Sequence, residues 1–112
     1  MAPNEDPVIS PFPRRETVFF ERRELELILR LYGQGVASGA WRDYGLEQES
    51  EFVAFCIFKR SSEAPLYRIE KRPALRHKQG AFAIYNQNQL ILKRGRELDG
   101  VLEVLIKKKL NE

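Results

Sequence analysis

The chain has 112 residues, of which 43% are hydrophobic and 31% are charged, a composition typical of one small globular domain and not of a disordered polypeptide. Its single cysteine excludes an internal disulfide, and no apolar run approaches the roughly 20 residues that span a bilayer. The formal net charge is only +3, but six basic and ten acidic residues give residues 1–51 a net charge of −4, whereas 13 basic and six acidic residues give residues 52–112 a net charge of +7.

Residues 1–16 contain four prolines and no periodic pattern, so neither a helix nor a strand is predicted there. A disordered tail is the interpretation that this composition favours, and the alternative is an extended arm that packs through Val8, Ile9 and Phe12. Acidic residues stand where a secretory signal would be basic, so a cytoplasmic protein is expected. The rest of the chain, residues 17–112, is predicted to form a single domain.

A first helix is predicted at about residues 22–38. Its apolar residues recur at the spacing of one helical face, namely Leu25, Ile28, Leu29, Tyr32 and Val36. Gly39 fits the position just beyond a helix C-terminus, where glycine is favoured. The preceding residues 17–20 are either a short strand or the lead into this helix.

The most apolar segment, Phe52–Phe58, has apolar residues on both side-chain parities, which predicts a strand covered on both faces. The segment Leu66–Arg72 alternates, with Tyr67 and Ile69 on one parity and charged residues on the other. Turn-forming residues at 61–65 join the two segments, so an antiparallel hairpin is predicted. Cys56 lies within the first strand and is expected to be unreactive. The residues expected to be largely buried are Phe52, Phe55, Ile57, Phe58, Ile69, Ile84, Leu92 and Leu102.

Four further elements complete the predicted order. Trp41–Leu46 has the aromatic content of a strand, and Ala81–Tyr85 and Gln89–Lys93 flank an asparagine-rich turn typical of a second hairpin. Apolar residues at helical spacing predict a last helix from about Glu97 to Leu110. The predicted fold class is therefore α+β, an antiparallel sheet of about five strands in a meander, preceded and followed by one helix each.

Four segments together resemble an uncharacterised family of small alphaproteobacterial proteins that contain a domain of unknown function. They are GAWRDY at 39–44, PLYRIEKRP at 65–73, QG at 79–80 and LILKRG at 90–95. The resemblance extends from about Val18 to the last helix, and it departs at Ala40, where an acidic residue is expected before the tryptophan. It implies a bacterial cytoplasmic protein and carries over no activity, cofactor or catalytic residue.

The residues that carry enzyme chemistry are few. The single histidine, His77, lies in a basic loop with no acidic neighbour to orient it as a base, and Cys56 lies in a buried strand where thiols are inert. One cysteine and one histidine give no metal-ligand spacing, and no glycine-rich phosphate loop is present. The lone acid Asp43 is best explained by an ion pair or turn bond. We therefore expect no catalytic, cofactor or metal site and no enzymatic activity.

A cluster of basic residues is predicted on neighbouring strands and loops of the sheet. Its members are Arg68, Lys71, Arg72, Arg76, Lys78, Lys93 and Arg94. Such a surface fits the phosphates of a nucleic acid, with Tyr67 or Tyr85 available for stacking. The alternative is that these charges keep an open sheet soluble and guard its edges.

A protein interface is predicted around Trp41, Arg42 and Tyr44, since these residue types are favoured at interfaces. The alternative for Trp41 is a position in the core. Opposite charge on the two halves of the chain also suits self-association or an acidic partner. The sequence thus favours a small non-enzymatic binding or regulatory module that acts on a protein partner, with nucleic-acid binding through a basic sheet face as the alternative.

Overall fold

The computed structural model of the protein describes residues 17–60 and 64–110. The elements in these residues are α1 (Arg22–Ala37), β1 (Asp43–Gln48), β2 (Val53–Phe58), β3 (Tyr67–Lys71), a 3-10 turn (Pro73–Leu75), β4 (Phe82–Tyr85), β5 (Ile91–Gly95) and α2 (Leu98–Leu110). The N-terminal segment 1–16 and most of the turn predicted at 61–65 lie outside the described residues. None of the helices in the described part of the chain is long and apolar enough to cross a membrane.

The five strands form one antiparallel sheet in the order β1-β2-β3-β4-β5. The predicted α+β meander with a helix at each end is therefore confirmed. Residues 17–20 form no strand; they lead into α1, and the Val18 amide donates to the Glu49 carbonyl at 3.1 Å. β1 begins two residues later than predicted because the Trp41 amide is still bonded to the carbonyl of Gly35 in α1.

The first helix is closed at both ends by local interactions. At its N-terminus the Glu21 amide donates to Oε1 of Glu24 at 2.8 Å, which satisfies one of the backbone donors that a helix start leaves unpaired. At its C-terminus Gly39 has a φ of 84°, a left-handed conformation that glycine adopts at little cost. The predicted role of Gly39 is thereby confirmed.

Both helices pack on the same face of the sheet. Phe55, Ile69 and Ile84 stand opposite one another on β2, β3 and β4 and form the centre of that face. The buried residues that complete this core are Ile28, Leu31, Trp41, Ile57, Tyr67, Ala81, Phe82, Leu98, Val101, Leu102 and Leu105. The residues of β2 are buried on both parities, as its composition predicts.

Three of the residues expected to be largely buried, Phe52, Phe58 and Leu92, are only partly buried. Phe52 and Phe58 have the opposite parity to Phe55, so they lie on the face that carries no helix. Leu92 belongs to β5, which has a neighbouring strand on one side only among the described residues. The pattern of apolar residues reveals neither which face the helices cover nor which strand is outermost, so it overestimates the burial of these three residues.

Candidate functional site

The sheet face that points away from the helices, here called the open face, has a floor of small residues. Ala54 and Cys56 on β2 and Ala83 on β4 are all buried there. Glu70 stands between Ala54 and Ala83 in the strand register, and Arg68 stands beside Cys56. Because the floor residues are small, the long side chains of β3 can lie across them.

Glu70 is the centre of an ion-pair network on the open face, although only 2% of its surface is exposed. Arg68 donates from Nη1 to Oε2 of Glu70 at 3.0 Å. Arg72 donates to both carboxylate oxygens at 3.3 Å, and the Tyr85 hydroxyl lies 3.4 Å from Oε1. A buried carboxylate is tolerated only when it is paired and hydrogen-bonded, and these three side chains supply both requirements.

The two guanidinium groups also stack on aromatic rings. The guanidinium carbons of Arg68 and Arg72 lie 5.0 and 4.8 Å from the centre of the Phe52 ring, and that of Arg68 lies 5.5 Å from the Tyr85 ring. Burial acts to lower the pKa of Arg68, but its hydrogen bonds to Glu70 and Glu47 outweigh burial and raise that pKa overall. Arg68 is therefore held as a fixed cation.

An open cavity of about 490 Å³ lies over this network. Its lining comprises Glu47, Phe52, Ala64, Pro65, Arg68, Glu70, Arg72, Tyr85, Asn86, Gln87 and Gln89. The lining thus combines two arginines and two aromatic residues with three amide residues of the β4–β5 turn, and the volume is in the range of sites for small molecules.

The structure brings together three of the seven residues in the predicted basic cluster. Arg68, Arg72 and Arg94 share the open face, where Arg94 donates from Nη2 to the Tyr85 hydroxyl at 3.3 Å and from Nη1 to the Gly80 carbonyl at 3.2 Å. Glu70 and Glu47 neutralise part of their charge. The open face is therefore less positive than the count of basic residues implies.

The other four predicted residues lie elsewhere. Lys71 points to the helix side of the sheet, where its Nζ contacts Oε1 of Glu24 at 2.8 Å and the Phe19 carbonyl at 3.0 Å. Lys93 stands opposite Ile84 and has the parity of the helix side. Arg76 and Lys78 are exposed in the loop between β3 and β4. A single surface containing all seven residues is thus not formed, because successive strand residues point to opposite faces.

The importance of Glu70 and Phe52 is not apparent from sequence patterns alone. Glu70 has the form of a solvent-facing charge, and Phe52 has the form of a core residue. The one available signal is the alternation Arg68-Glu70-Arg72, which places an acid between two bases on one strand face. The partners from other strands, Tyr85 and Glu47, depend on the sheet register.

The predicted protein interface is only partly exposed. Trp41 is 2% exposed and belongs to the core, so it cannot contact a partner in the folded protein. Arg42 is exposed, and Tyr44 is 46% exposed while its ring stacks on Phe55 with centres 4.8 Å apart. Trp41 therefore has the core position that was the alternative interpretation, because its ring packs closely against Gly35 of α1.

The outer edge of β1 has no neighbouring strand among the described residues. The Glu49 amide donates to the Phe52 carbonyl at 2.9 Å, so these two residues form a hydrogen-bonded pair of the antiparallel ladder. Because hydrogen-bonded and non-hydrogen-bonded pairs alternate along such a ladder, the backbone groups of Tyr44, Leu46 and Gln48 point away from β2. The Tyr44 amide donates to Oδ1 of the neighbouring residue, Asp43. Leu46 is 49% exposed. The outward backbone groups of Leu46 and Gln48, which bond to no further strand among the described residues, therefore coincide with exposed apolar side chains along this edge.

The thiol and the histidine show no arrangement for catalysis in the described part of the chain. Burial raises the pKa of Cys56 to about 11, so the thiol is protonated near neutral pH. His77 is exposed and accepts a 3.4 Å hydrogen bond at Nε2 from Arg76. Residues 17–60 and 64–110 contain no group of three or more His, Cys, Asp or Glu side chains that could hold a metal ion.

Comparison with known proteins gives a family but no characterised relative. No curated protein and no solved structure matches the chain. The model of a family described as a protein of unknown function, DUF2794, matches residues 18–102, which extend from the lead into α1 to the middle of α2. The match confirms the resemblance to an uncharacterised family, and the chain belongs to the DUF2794 family.

Proposed function

We propose that this protein is a small non-enzymatic binding or regulatory module that binds a protein partner along the outer edge of β1. The observation that carries the proposal is that the outward backbone groups of Leu46 and Gln48, which pair with no further strand in the part of the chain that the structure describes, lie beside the exposed side chains of Tyr44 and Leu46. An edge strand of this kind is a template for an added strand, and its main-chain groups supply affinity.

Natural proteins usually protect such edges with lysine, proline or a bulge. β1 has the sequence DYGLEQ, which contains neither lysine nor proline, and its pairing with β2 runs without a register shift. A regular edge that no lysine, proline or bulge protects, and that no strand within residues 17–60 and 64–110 covers, supports a role in recognition.

The two sides of the edge define the chemistry of the partner. On the helix side, Tyr44 and Leu46 offer an apolar surface next to Phe55. On the open face, Asp43 and Glu47 are exposed and acidic. Because side chains of an added strand also alternate, the complementary partner is an extended peptide in which apolar residues alternate with basic ones.

Calorimetry with two synthetic peptides tests this proposal. A peptide of alternating valine and lysine should bind saturably, whereas a peptide of alternating valine and glutamate should not, because Asp43 and Glu47 repel it. Saturable binding of neither peptide, or equal binding of both, would contradict the proposal.

Two substitutions at Leu46 separate main-chain from side-chain contacts. Leu46→Pro removes a backbone amide that points away from β2, so the sheet itself should keep its hydrogen bonds while binding of the valine–lysine peptide falls at least about tenfold. Leu46→Thr keeps the amide and should weaken binding less. Leu90→Thr, at an exposed leucine off this edge, is the matched control and should bind like the parent protein. If sedimentation shows a dimer that Leu46→Pro dissociates, the partner is a second copy of this chain and the peptide assignment is wrong.

Nucleic-acid binding through the open face is the second candidate. It is favoured by Arg68 and Arg72, whose guanidinium groups stack on Phe52 near the Tyr85 ring, the combination that single-strand binders use. The pairing of both arginines with Glu70 weighs against it. Saturable binding of a single-stranded oligonucleotide with a log–log salt slope of about −0.7 per neutralised phosphate would favour this second candidate over the first.

A further inference from the structure

We propose that the cavity on the open face is a binding site for a small organic anion, a molecule with a carboxylate or phosphate group that Arg68 and Arg72 bind. The inference concerns a different surface from the β1 edge and does not rest on the proposed protein partner. It begins with Glu70, a buried carboxylate that fixes both guanidinium groups in the lining of the cavity.

The two arginines keep donors for a ligand. A guanidinium group has five N–H donors; among the described residues, Arg68 uses two of them on Glu70 and Glu47 and also interacts with the Cys56 thiol, whereas Arg72 uses two on Glu70. Nη1 of Arg72 lies 3.7 Å from Glu51, beyond hydrogen-bond distance. Both side chains line the cavity, so donors remain for a planar or tetrahedral anion.

The arginines are also held in place before a ligand arrives. Each guanidinium is bonded to a carboxylate that is 2% exposed, and each stacks on the Phe52 ring. Side chains that are already ordered lose less entropy on binding than free surface arginines do, which favours affinity.

An anion has to displace exposed carboxylates from the two arginines. Glu70 neutralises one of the two cations, and Glu47 and Glu51 together more than offset the other, but their side chains are 53% and 79% exposed. Ion pairs made by exposed carboxylates are weak, so Glu47 and Glu51 compete weakly with a ligand inside the cavity. The 3.0 Å contact of Glu47 with Nε of Arg68 shows that a carboxylate fits against this guanidinium.

The size and lining of the cavity indicate more than an inorganic ion. Its volume of about 490 Å³ is in the range of sites for small organic molecules. Phe52 and Pro65 offer apolar contact, while Gln87 and Gln89 offer amide donors and acceptors. The expected ligand therefore combines an anionic group with a partly apolar body that carries hydrogen-bonding groups.

Titration of the ¹⁵N-labelled protein with phenyl phosphate, inorganic phosphate and benzyl alcohol tests the site by NMR. Phenyl phosphate should shift the amide signals of residues 68–72 and 85–89 saturably, and it should bind more tightly than inorganic phosphate because its ring contacts apolar lining. Benzyl alcohol, which has no charge, should give no saturable shift. Absence of saturation with phenyl phosphate, or shifts confined to the basic loop at 76–78, would overturn the proposal.

Substitutions of one acidic and one basic residue of the cavity make the test sharper. Glu47→Gln removes the competing carboxylate from an exposed position and should tighten phenyl phosphate binding by about two- to fivefold. Arg72→Gln should weaken it at least about tenfold, whereas Arg96→Gln, at an exposed arginine that does not line the cavity, should leave it unchanged.

Thermal denaturation monitored by circular dichroism first establishes that each variant folds. If Arg72→Gln does not fold, the Glu47→Gln result decides alone. Affinity that is unaltered in Glu47→Gln would overturn the proposal, and so would unaltered affinity in a folded Arg72→Gln variant. Binding of a single-stranded oligonucleotide at these amides, with no binding of phenyl phosphate, would also overturn it.

Discussion

At the scale of single residues, Glu70 is a buried carboxylate whose charge depends on its neighbours. Its carboxylate is removed from water and would be strongly unfavourable without the two arginines and the Tyr85 hydroxyl that contact it. Arg68 and Arg72 in turn depend on Glu70, because each would otherwise hold its charge in a partly buried position beside another cation. The three side chains therefore act as one unit.

Glu70→Gln keeps the shape of the side chain and removes its charge. We expect this variant to lose about 3–5 kcal/mol of unfolding free energy, because breaking a buried ion pair leaves uncompensated charge. Urea denaturation monitored by circular dichroism measures the loss. Glu26→Gln is the matched control, since Glu26 is exposed and pairs with Arg22 at 3.3 Å, and it should change stability by less than about 1 kcal/mol. Equal effects of the two substitutions would show that the network on Glu70 contributes no special stability.

At the scale of elements, α1 is attached to the sheet at both ends. Near its N-terminus, Glu24 pairs with Lys71 of β3 at 2.8 Å, and both side chains are 13% exposed. Near its C-terminus, the Gly35 carbonyl accepts from the amides of Ala40 and Trp41, which folds the chain back and lays the indole ring on the helix. The turn after α1 thus places both Trp41 and the start of β1.

Two glycines of α1 provide a paired test of this arrangement. A Cβ atom at Gly35 would overlap the Trp41 ring, whereas a Cβ atom at Gly33 would meet nothing within 4 Å. Gly35→Ala should therefore destabilise the protein by about 1–3 kcal/mol through overpacking. Gly33→Ala should stabilise it by up to about 1 kcal/mol, because alanine is the better helix former.

Thermal or urea denaturation of the two glycine variants, compared with the parent protein, gives both signs in one experiment. A stabilising effect of Gly35→Ala would mean that the indole ring does not lie against α1 in solution.

At the scale of the whole molecule, the two faces of the sheet are covered by different kinds of groups. One face carries both helices and the apolar core. On the open face, arginine and aromatic side chains lie over small residues. A sheet covered by ion-paired side chains on one side presents a polar surface with a cavity, and this asymmetry separates the packing of the fold from its candidate binding site.

The single core should give one cooperative unfolding transition. Trp41 is buried between α1 and β3, with its ring 6.3 Å from Tyr32 and 6.4 Å from Tyr67, so its fluorescence reports the helix–sheet contact. We expect blue-shifted emission in the folded protein and a red shift on unfolding. The midpoint of that shift should coincide with the midpoint measured by far-ultraviolet circular dichroism. Two separate midpoints would show that the contact of α1 with the sheet breaks before the secondary structure melts.

Local periodicity allows much of the fold to be predicted. The alternation in β3 assigns Arg68, Glu70 and Arg72 to one face and Tyr67 and Ile69 to the other, and the structure confirms this assignment. The burial of β2 on both parities and the order of helices and strands are confirmed for the same reason. These features depend on residues close in sequence, where side-chain direction follows directly from backbone geometry.

The sequence by itself thus determined the helices and strands, their order, the two-sided burial of β2 and the alternation in β3, because short-range patterns encode them. Only the tertiary structure decided that both helices cover the same face, that Lys71 pairs with Glu24 and that Trp41 lies on Gly35. It also decided that Glu70 meets Tyr85 and that Arg68 meets Glu47, residues 15 and 21 positions apart in the chain. Such contacts depend on strand register and on the path of the turns, so no pattern within a single segment specifies them.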